Sequence, residues 1–261
     1  MEMFEMNDNW DRVLNKDAPW ALDGWVNAVC DVLSFCDISP DLLLDVGPGV
    51  ANSEAWIFKK KFSDLKIFGF EPQHDRHDFL SAIYPGALFK KAIVSYPGST
   101  MGMMGHRDGV SDFNLFDYDG GVGRNQERVE CDSIDNVLAK NPDFKRVFIW
   151  ADIEGSELEM LRGAVKSLMS DKVIAISLEL NFDRDALTVI EFLSRFNFYP
   201  VGSTSGNTRT VNQDEIKAGR WCVGQIIPDN DHVQCDLFFL KTDLRCSNDK
   251  YFQVSDERKD L

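Results

Sequence analysis

The sequence predicts a doubly wound α/β fold, with a mostly parallel sheet and an antiparallel strand at one edge. Short apolar runs typical of buried strands alternate along the chain with segments of about 10–15 residues that have helical periodicity. A glycine-rich turn follows the first run, which is typical of a strand that leads into a helix. A last apolar piece, residues 236–240, follows the final helical segment and predicts the antiparallel edge strand.

The individual elements follow from apolar periodicity and from turn residues. The first helix is predicted at 17–36, and Ser39-Pro40 ends it because the residue before a proline disfavours the helical conformation. Ser156, with Glu159 three residues later, predicts a capping box at a later helix start. The strands are predicted at 41–46, 66–70, 87–94, 128–131, 146–151 and 172–180, and the other helices at 51–62, 75–83, 133–139, 156–169 and 186–196.

The chain has 261 residues, which fits one domain with a sizeable core. We expect an N-terminal helical segment, 1–40, packed on an α/β domain at 41–246, and a charged tail at 247–261. Two polar segments, 95–124 and 202–219, are predicted to be loop insertions. The first is expected to contain turns and short strands and to cover a site.

Charge and hydropathy limit the partners. The formal net charge is −15, and such a surface repels phosphate backbones, so a nucleic-acid substrate is disfavoured and a neutral or cationic small molecule is favoured. No apolar run approaches the roughly 20 residues needed to cross a bilayer. The acidic start of the chain does not resemble a secretory signal, so we predict a cytoplasmic protein and leave homo-oligomerisation open.

The first motif is the turn Gly47-Pro48-Gly49, which follows a predicted buried strand ending near Asp45. Ligands of such folds bind at the carboxyl edge of the sheet, and glycines let the backbone approach them closely. An acid that precedes the glycines favours a ligand with a cationic amino group over a pyrophosphate. The alternative is an ordinary glycine-rich turn between a strand and a helix.

Glu71 ends the next predicted strand, 26 residues after Asp45. An acid at about this distance after the first strand is placed to accept hydrogen bonds from ribose hydroxyls. The alternative is a solvated loop carboxylate. An acid that binds ribose hydroxyls is also expected in a site for NAD, which is the competing cofactor.

A third group of acids surrounds the junction between a buried strand and a helix. Glu157 and Glu159 are explained by the favourable position of acids at a helix N-terminus. Asp152 is instead at the carboxyl edge of the sheet, and Glu179 ends the next strand at the same edge. Two carboxylates there predict either a base that takes a proton from a hydroxyl or ligands for a divalent metal such as Mg²⁺ or Mn²⁺.

Together these motifs resemble the FkbM-type methyltransferases. The resemblance rests on LLLDVGPGVA at 42–51, GFEP at 69–72, VECDSIDNVL at 129–138, WADIEGSELEMLRGA at 150–164 and ISLEL at 176–180. It implies a Rossmann-like class I methyltransferase fold and O-methylation of a sugar or other small-molecule hydroxyl, with S-adenosyl-L-methionine as the methyl donor. It also implies that the cofactor is surrounded by Asp45, Gly47, Gly49, Glu71 and Pro72.

We therefore expect methyl transfer to a hydroxyl oxygen, with Asp152 and Glu179 as catalytic residues. Two alternatives stay open. An NAD-dependent oxidoreductase would also use a glycine turn and an acid, but the sequence lacks a G-x-G-x-x-G motif at this turn. A non-catalytic scaffold with the same fold would bind a partner without turnover.

Overall fold

The computed structural model describes residues 22–49, 54–84, 86–107, 110–116, 126–181, 186–203 and 234–241. Within them, strands and helices alternate along the chain. The helices are α1 (Leu22–Phe35), α2 (Glu54–Lys61), α3 (His77–Ile83), α4 (Ile134–Lys140), α5 (Glu157–Arg162), α6 (Val165–Met169) and α7 (Ala186–Ser194). The strands are β1 (Leu42–Val46), β2 (Lys66–Phe70), β3 (Leu88–Phe89), β4 (Ala92–Ile93), β5 (Gly98–Arg107), β6 (Val110–Phe116), β7 (Gln126–Asp132), β8 (Val147–Ala151), β9 (Val173–Asn181), β10 (Phe198–Ser203) and β11 (Gln234–Lys241).

A seven-stranded sheet carries the fold, in the order β10-β11-β9-β8-β1-β2-β3. The five strands from β9 to β3 pair in parallel, and β11 pairs antiparallel with both β9 and β10. The predicted mostly parallel sheet with an antiparallel edge is therefore confirmed. The outermost strand is β10, whereas β11, the predicted edge strand, lies one position further in.

The core lies on both faces of this sheet, because strands of a doubly wound fold are covered twice. On one face Leu43 of β1 packs with Phe148 of β8 and with side chains of α1 and α2. On the other face Leu42 and Leu44 pack with side chains of α4 to α7. Side chains alternate along a strand, so each parallel strand contributes to both layers.

A second sheet of four strands, in the order β4-β7-β5-β6, occupies much of the segment predicted as a loop insertion at 95–124. β5 has 10 residues and β6 has 7, so these strands are longer than the predicted short strands and turns. β5 pairs antiparallel with both β6 and β7.

Further details differ from the sequence-based expectations. The strand predicted at 87–94 is two short strands, β3 and β4, which belong to different sheets. The helix predicted at 156–169 is two helices, α5 and α6, separated at Gly163. The capping box is wrong, because the Ser156 side chain makes no capping hydrogen bond and Glu159 forms an ion pair with Arg162 instead. Strand β10 was not predicted. The tail at 247–261 and most of the insertion at 202–219 lie outside the described residues.

None of the helices in the described ranges is long and apolar enough to cross a membrane.

Candidate functional site

The turn after β1 has the backbone conformation that its glycines predict. Gly47 and Gly49 have φ values of +78° and +61°, a region that residues with a side chain rarely adopt. The Gly47 amide donates to the Phe70 carbonyl at the end of β2, at 2.9 Å. A β-carbon on Gly47 would lie 2.1 Å from the Asp152 carbonyl oxygen, so glycine is required there. The turn is therefore held against the ends of both neighbouring strands.

Asp45, the last polar residue of β1, is almost completely buried, with 1% exposure. The Tyr84 hydroxyl donates to its Oδ2 at 2.5 Å. The Tyr84 ring reaches Asp45 by crossing Gly69 of β2, where a β-carbon would lie 3.1 Å from the ring. The glycine of the Gly69-Phe70-Glu71-Pro72 motif thus makes room for the tyrosine that holds Asp45.

Glu71, directly after β2, is buried and held through both its side chain and its backbone. The Gln73 amide donates to its Oε1 at 2.8 Å, and Arg76 Nη1 lies 3.5 Å from its Oε2. The ring Nε2 of buried His77 lies 2.6 Å from the Glu71 carbonyl oxygen, and since a carbonyl only accepts, Nε2 carries the proton. Pro72 follows Glu71 and is half-buried.

The third predicted group of acids comes together at the ends of β8 and β9. One carboxylate oxygen from each of Asp152, Glu154 and Glu179 lies within 4.8 Å of the others. Asp236 of β11 is paired with Glu179 across the antiparallel ladder, which adds a fourth carboxylate. We call Asp152, Glu154 and Glu179 the rim cluster. Such a group of oxygens is suited to hold a proton or a hard divalent cation.

Electrostatics in the rim cluster favour the protonated form of Asp152. Desolvation by the surrounding protein raises the pKa of Asp152 well above its ordinary value, and the charge of Glu179 and a hydrogen bond between the two carboxyl groups raise it further. Asp152 as a residue is nevertheless exposed at the edge of the sheet, although protein surrounds its carboxyl group. The two carboxyl groups thus form one coupled acid–base unit.

Glu157 has a structural role, as its position at a helix start predicts. It is 4% exposed, and its Oε1 accepts a hydrogen bond from the Gly155 amide at 3.1 Å. Burial raises the pKa of its carboxyl group. Glu154 and Gly155 both have positive φ values, +53° and +99°, so the chain turns sharply between β8 and α5.

The predicted residues therefore form two groups at the carboxyl edge of one sheet. Asp45, Glu71 and the glycine turn lie at the ends of β1 and β2, and the rim cluster lies at the ends of β8 and β9. The Asp152 amide donates to the Val46 carbonyl at 3.0 Å, which joins the two groups. Tyr84 and Arg76 were not predicted as part of the site, because neither belongs to a motif and each reaches it through a tertiary contact.

Comparison with known proteins finds one family model that matches part of the chain. Residues 84–199 match the family model of the methyltransferase FkbM domain. The matched segment includes Asp152 and Glu179 and begins after Asp45 and Glu71. No curated protein sequence matches the chain.

Solved structures of several methyltransferases resemble this chain, with low sequence identities and low TM-scores. The precorrin-6Y C5,15-methyltransferase of Geobacter metallireducens GS-15 is 15% identical, with a TM-score of 0.40, over 83% of this chain and 88% of that one. A human methyltransferase 10 domain containing protein is 10% identical, with a TM-score of 0.38, over 86% and 84% of the two chains. These scores are too low to carry an argument about function.

The match over 84–199 agrees with the motifs at 129–138, 150–164 and 176–180, and the strand order agrees with the predicted doubly wound sheet. The family match thus confirms the resemblance: residues 84–199 of this chain are similar to the methyltransferase FkbM domain.

Proposed function

We propose that this chain is an S-adenosyl-L-methionine-dependent methyltransferase that methylates a hydroxyl oxygen of a sugar or another small molecule. The family match supports methyl transfer and favours it over the NAD-dependent and scaffold alternatives. The wider sequence resemblance supports the oxygen acceptor. A net charge of −15 favours an acceptor that is neutral or cationic.

The main structural support for the proposal is the contact between Gly47 and Asp152. A β-carbon on Gly47 would lie 2.1 Å from the Asp152 carbonyl oxygen, so the glycine turn and the rim cluster touch through their backbones. A cofactor at the turn and a base at the rim would therefore be adjacent. Methyl transfer needs this arrangement, because the acceptor must lie between the methyl donor and the group that takes its proton.

The cofactor would supply a methyl group that is activated by a positively charged sulfur. The turn is suited to a close ligand, because a β-carbon on Gly49 would meet no atom of the described residues nearer than 3.9 Å. Asp45 would bind the amino group of the cofactor, and Glu71 would accept hydrogen bonds from its ribose hydroxyls. Gly47, Gly49 and Pro72 would line the same pocket. Both acids are buried and already hydrogen-bonded, which is the expected state of preorganised polar groups.

The rim cluster would remove the proton from the acceptor. The hydroxyl proton would pass to the Asp152–Glu179 pair as the acceptor oxygen takes the methyl group, and the electron pair of the carbon–sulfur bond would stay with the sulfur of the cofactor. A raised pKa makes the ionised form of Asp152 a stronger base, so the direction of the pKa shift supports this role.

The proposal includes a divalent metal, such as Mg²⁺ or Mn²⁺, as an alternative occupant of the rim cluster. Glu154 adds a third oxygen to the predicted ligands Asp152 and Glu179. Ser177, two residues before Glu179 on the same face of β9, is 1% exposed, and its hydroxyl lacks a hydrogen-bond partner among the described residues. A cation would lower the pKa of an acceptor hydroxyl and replace the shared proton.

The first test is calorimetric titration with S-adenosylhomocysteine, with NAD as the comparison ligand. We expect micromolar binding of S-adenosylhomocysteine and none of NAD. The Asp45→Ala variant should lose this binding while a thermal melt reports that it is folded. Preference for NAD, or no binding of either ligand by the wild type, would contradict the proposed cofactor.

A further inference from the structure

The segment at residues 73–84, which follows Glu71 and Pro72, contacts both of the acids that are predicted to bind the cofactor. Its first part turns back onto Glu71, and its last residue reaches Asp45. We propose that Arg76 and Tyr84 of this segment are positioning residues that set cofactor affinity, Arg76 through Glu71 and Tyr84 through Asp45. The inference rests on the proposed function, because it assumes that Asp45 and Glu71 bind the cofactor.

Tyr84 is itself held rigidly. Its amide donates to the Leu80 carbonyl at the end of α3, and its own carbonyl accepts from the Ala87 amide. Its ring is 3% exposed and packs over Gly69, so its hydroxyl can reach Asp45 without freedom to move elsewhere. A hydrogen bond from Tyr84 to Oδ2 therefore orients the Asp45 carboxylate, because it fixes one of the two oxygens.

Arg76 acts on the other acid. Its side chain is 14% exposed, and its Nη1 lies 3.5 Å from Glu71 Oε2. The same nitrogen would lie 3.9 Å from a β-carbon on Gly49, so the guanidinium group lies between Glu71 and the glycine turn. A buried carboxylate is costly without a compensating charge, and Arg76 supplies that charge while the Gln73 amide holds Oε1.

The two contacts predict different dependences on the ligand. Asp45 is proposed to bind the amino group of the cofactor, so Tyr84 should affect the affinity only of ligands that contain the amino acid part. Glu71 is proposed to act on the ribose, so Arg76 should matter for every ligand that contains adenosine. S-adenosylhomocysteine has both parts, whereas 5′-deoxy-5′-methylthioadenosine has the adenosine and lacks the amino acid.

The experiment is calorimetric titration of the full chain with these two ligands. We expect Tyr84→Phe to weaken S-adenosylhomocysteine about tenfold and methylthioadenosine less than about twofold, since one hydrogen bond to a charged group is lost. Arg76→Gln should weaken both ligands by about tenfold, and Arg76→Lys should restore most of the affinity because it keeps the charge. Matched controls are Tyr96→Phe and Arg195→Gln, both at exposed positions.

The outcomes separate this inference from the proposed function. If the wild type binds neither ligand, the proposed cofactor is wrong. If the wild type binds both but Tyr84→Phe weakens both equally, Tyr84 has only a general structural role and the inference is overturned. An Arg76→Gln variant that binds as well as or better than the wild type would overturn the role of Arg76.

Discussion

A β-carbon on Gly163 would lie 2.0 Å from the Val94 carbonyl oxygen, so the residue that separates α5 from α6 is in backbone contact with the chain just after β4. Gly163 has a φ value of −77°, which any residue can adopt. Glycine is therefore required at this position because there is no room for a β-carbon, and not because of the backbone conformation. This explains the second glycine of the WADIEGSELEMLRGA motif at 150–164.

Gly163→Ala should consequently destabilise the fold by about 3 kcal/mol or more, because the clash is with backbone and no side chain can move aside. Gly86→Ala is the matched control. Gly86 has a φ of +71°, and a β-carbon there would meet no atom of the described residues within 4 Å, so only a backbone cost of about 1–2 kcal/mol is expected. Urea unfolding of both variants measures the difference, and equal destabilisation would contradict the steric explanation.

At the glycine turn, which we propose binds the cofactor, Gly47→Ala should abolish binding of S-adenosylhomocysteine, because its β-carbon would displace the Asp152 backbone. Gly49→Ala has a similar positive φ, but within the part of the chain that the structure describes its β-carbon would meet no atom nearer than 3.9 Å, so it should retain measurable binding. Calorimetric titration compares the two variants, and thermal melts show whether each is folded. Unchanged affinity in folded Gly47→Ala would argue against a ligand at this turn.

Asp152→Asn should reduce kcat by about 10²–10⁴-fold if the carboxylate takes the acceptor proton. Affinity for S-adenosylhomocysteine should change little, since Asp152 belongs to the other half of the site. Glu159→Gln, at a half-buried residue of α5 whose partner is Arg162, is the control that changes charge outside the rim cluster. Equal losses of turnover and cofactor affinity would instead move Asp152 into the cofactor pocket.

A metal at the rim cluster can be tested without knowing the acceptor. Titration of the chelator-treated protein with Mn²⁺, followed by electron paramagnetic resonance, should show binding that Glu179→Gln weakens and Glu159→Gln leaves unchanged. The expectation follows from three carboxylate oxygens within 4.8 Å. If millimolar Mn²⁺ does not bind the wild type, the metal part of the proposal is wrong and the Asp152–Glu179 pair acts as a base alone.

Burial lowers the pKa of His77 from its ordinary value of 6.5, even though the hydrogen bond to the Glu71 carbonyl opposes the shift. The unfolded chain therefore binds more protons than the folded chain as pH falls below about 6.5, and stability must decrease there. The titratable side chains that act on His77 electrostatically are Lys90, His74 and Asp78.

His77→Gln keeps a side-chain N–H donor but does not titrate. It should lose less stability than the wild type between pH 7 and about pH 5, by up to about 1.4 kcal/mol per pH unit. Urea unfolding at several pH values measures this, with the neighbouring charges unchanged in both proteins. Parallel pH profiles for the two proteins would show that His77 does not contribute.

The sequence predicted the parts of the fold that depend on local pattern. Strand β2 was predicted with its observed bounds, and the predicted acids do lie at strand ends because parallel strands end at one edge. Strand β10 was missed since it contains Pro200 and Gly202, and a register shift between them makes it irregular. Contacts such as that of Tyr84 with Asp45 join residues 39 positions apart, so periodicity gives no sign of them.

The backbone contact between Gly47 and Asp152 also limits how the site can vary. Since no side chain fits between the two segments, the spacing from the proposed cofactor site at the glycine turn to the proposed base cannot be adjusted by substitution. An acceptor of a different size or shape would have to be accommodated by chain elements further from this contact. Among relatives, we therefore expect acceptor preference to change through insertions and loops around a reaction centre of constant dimensions.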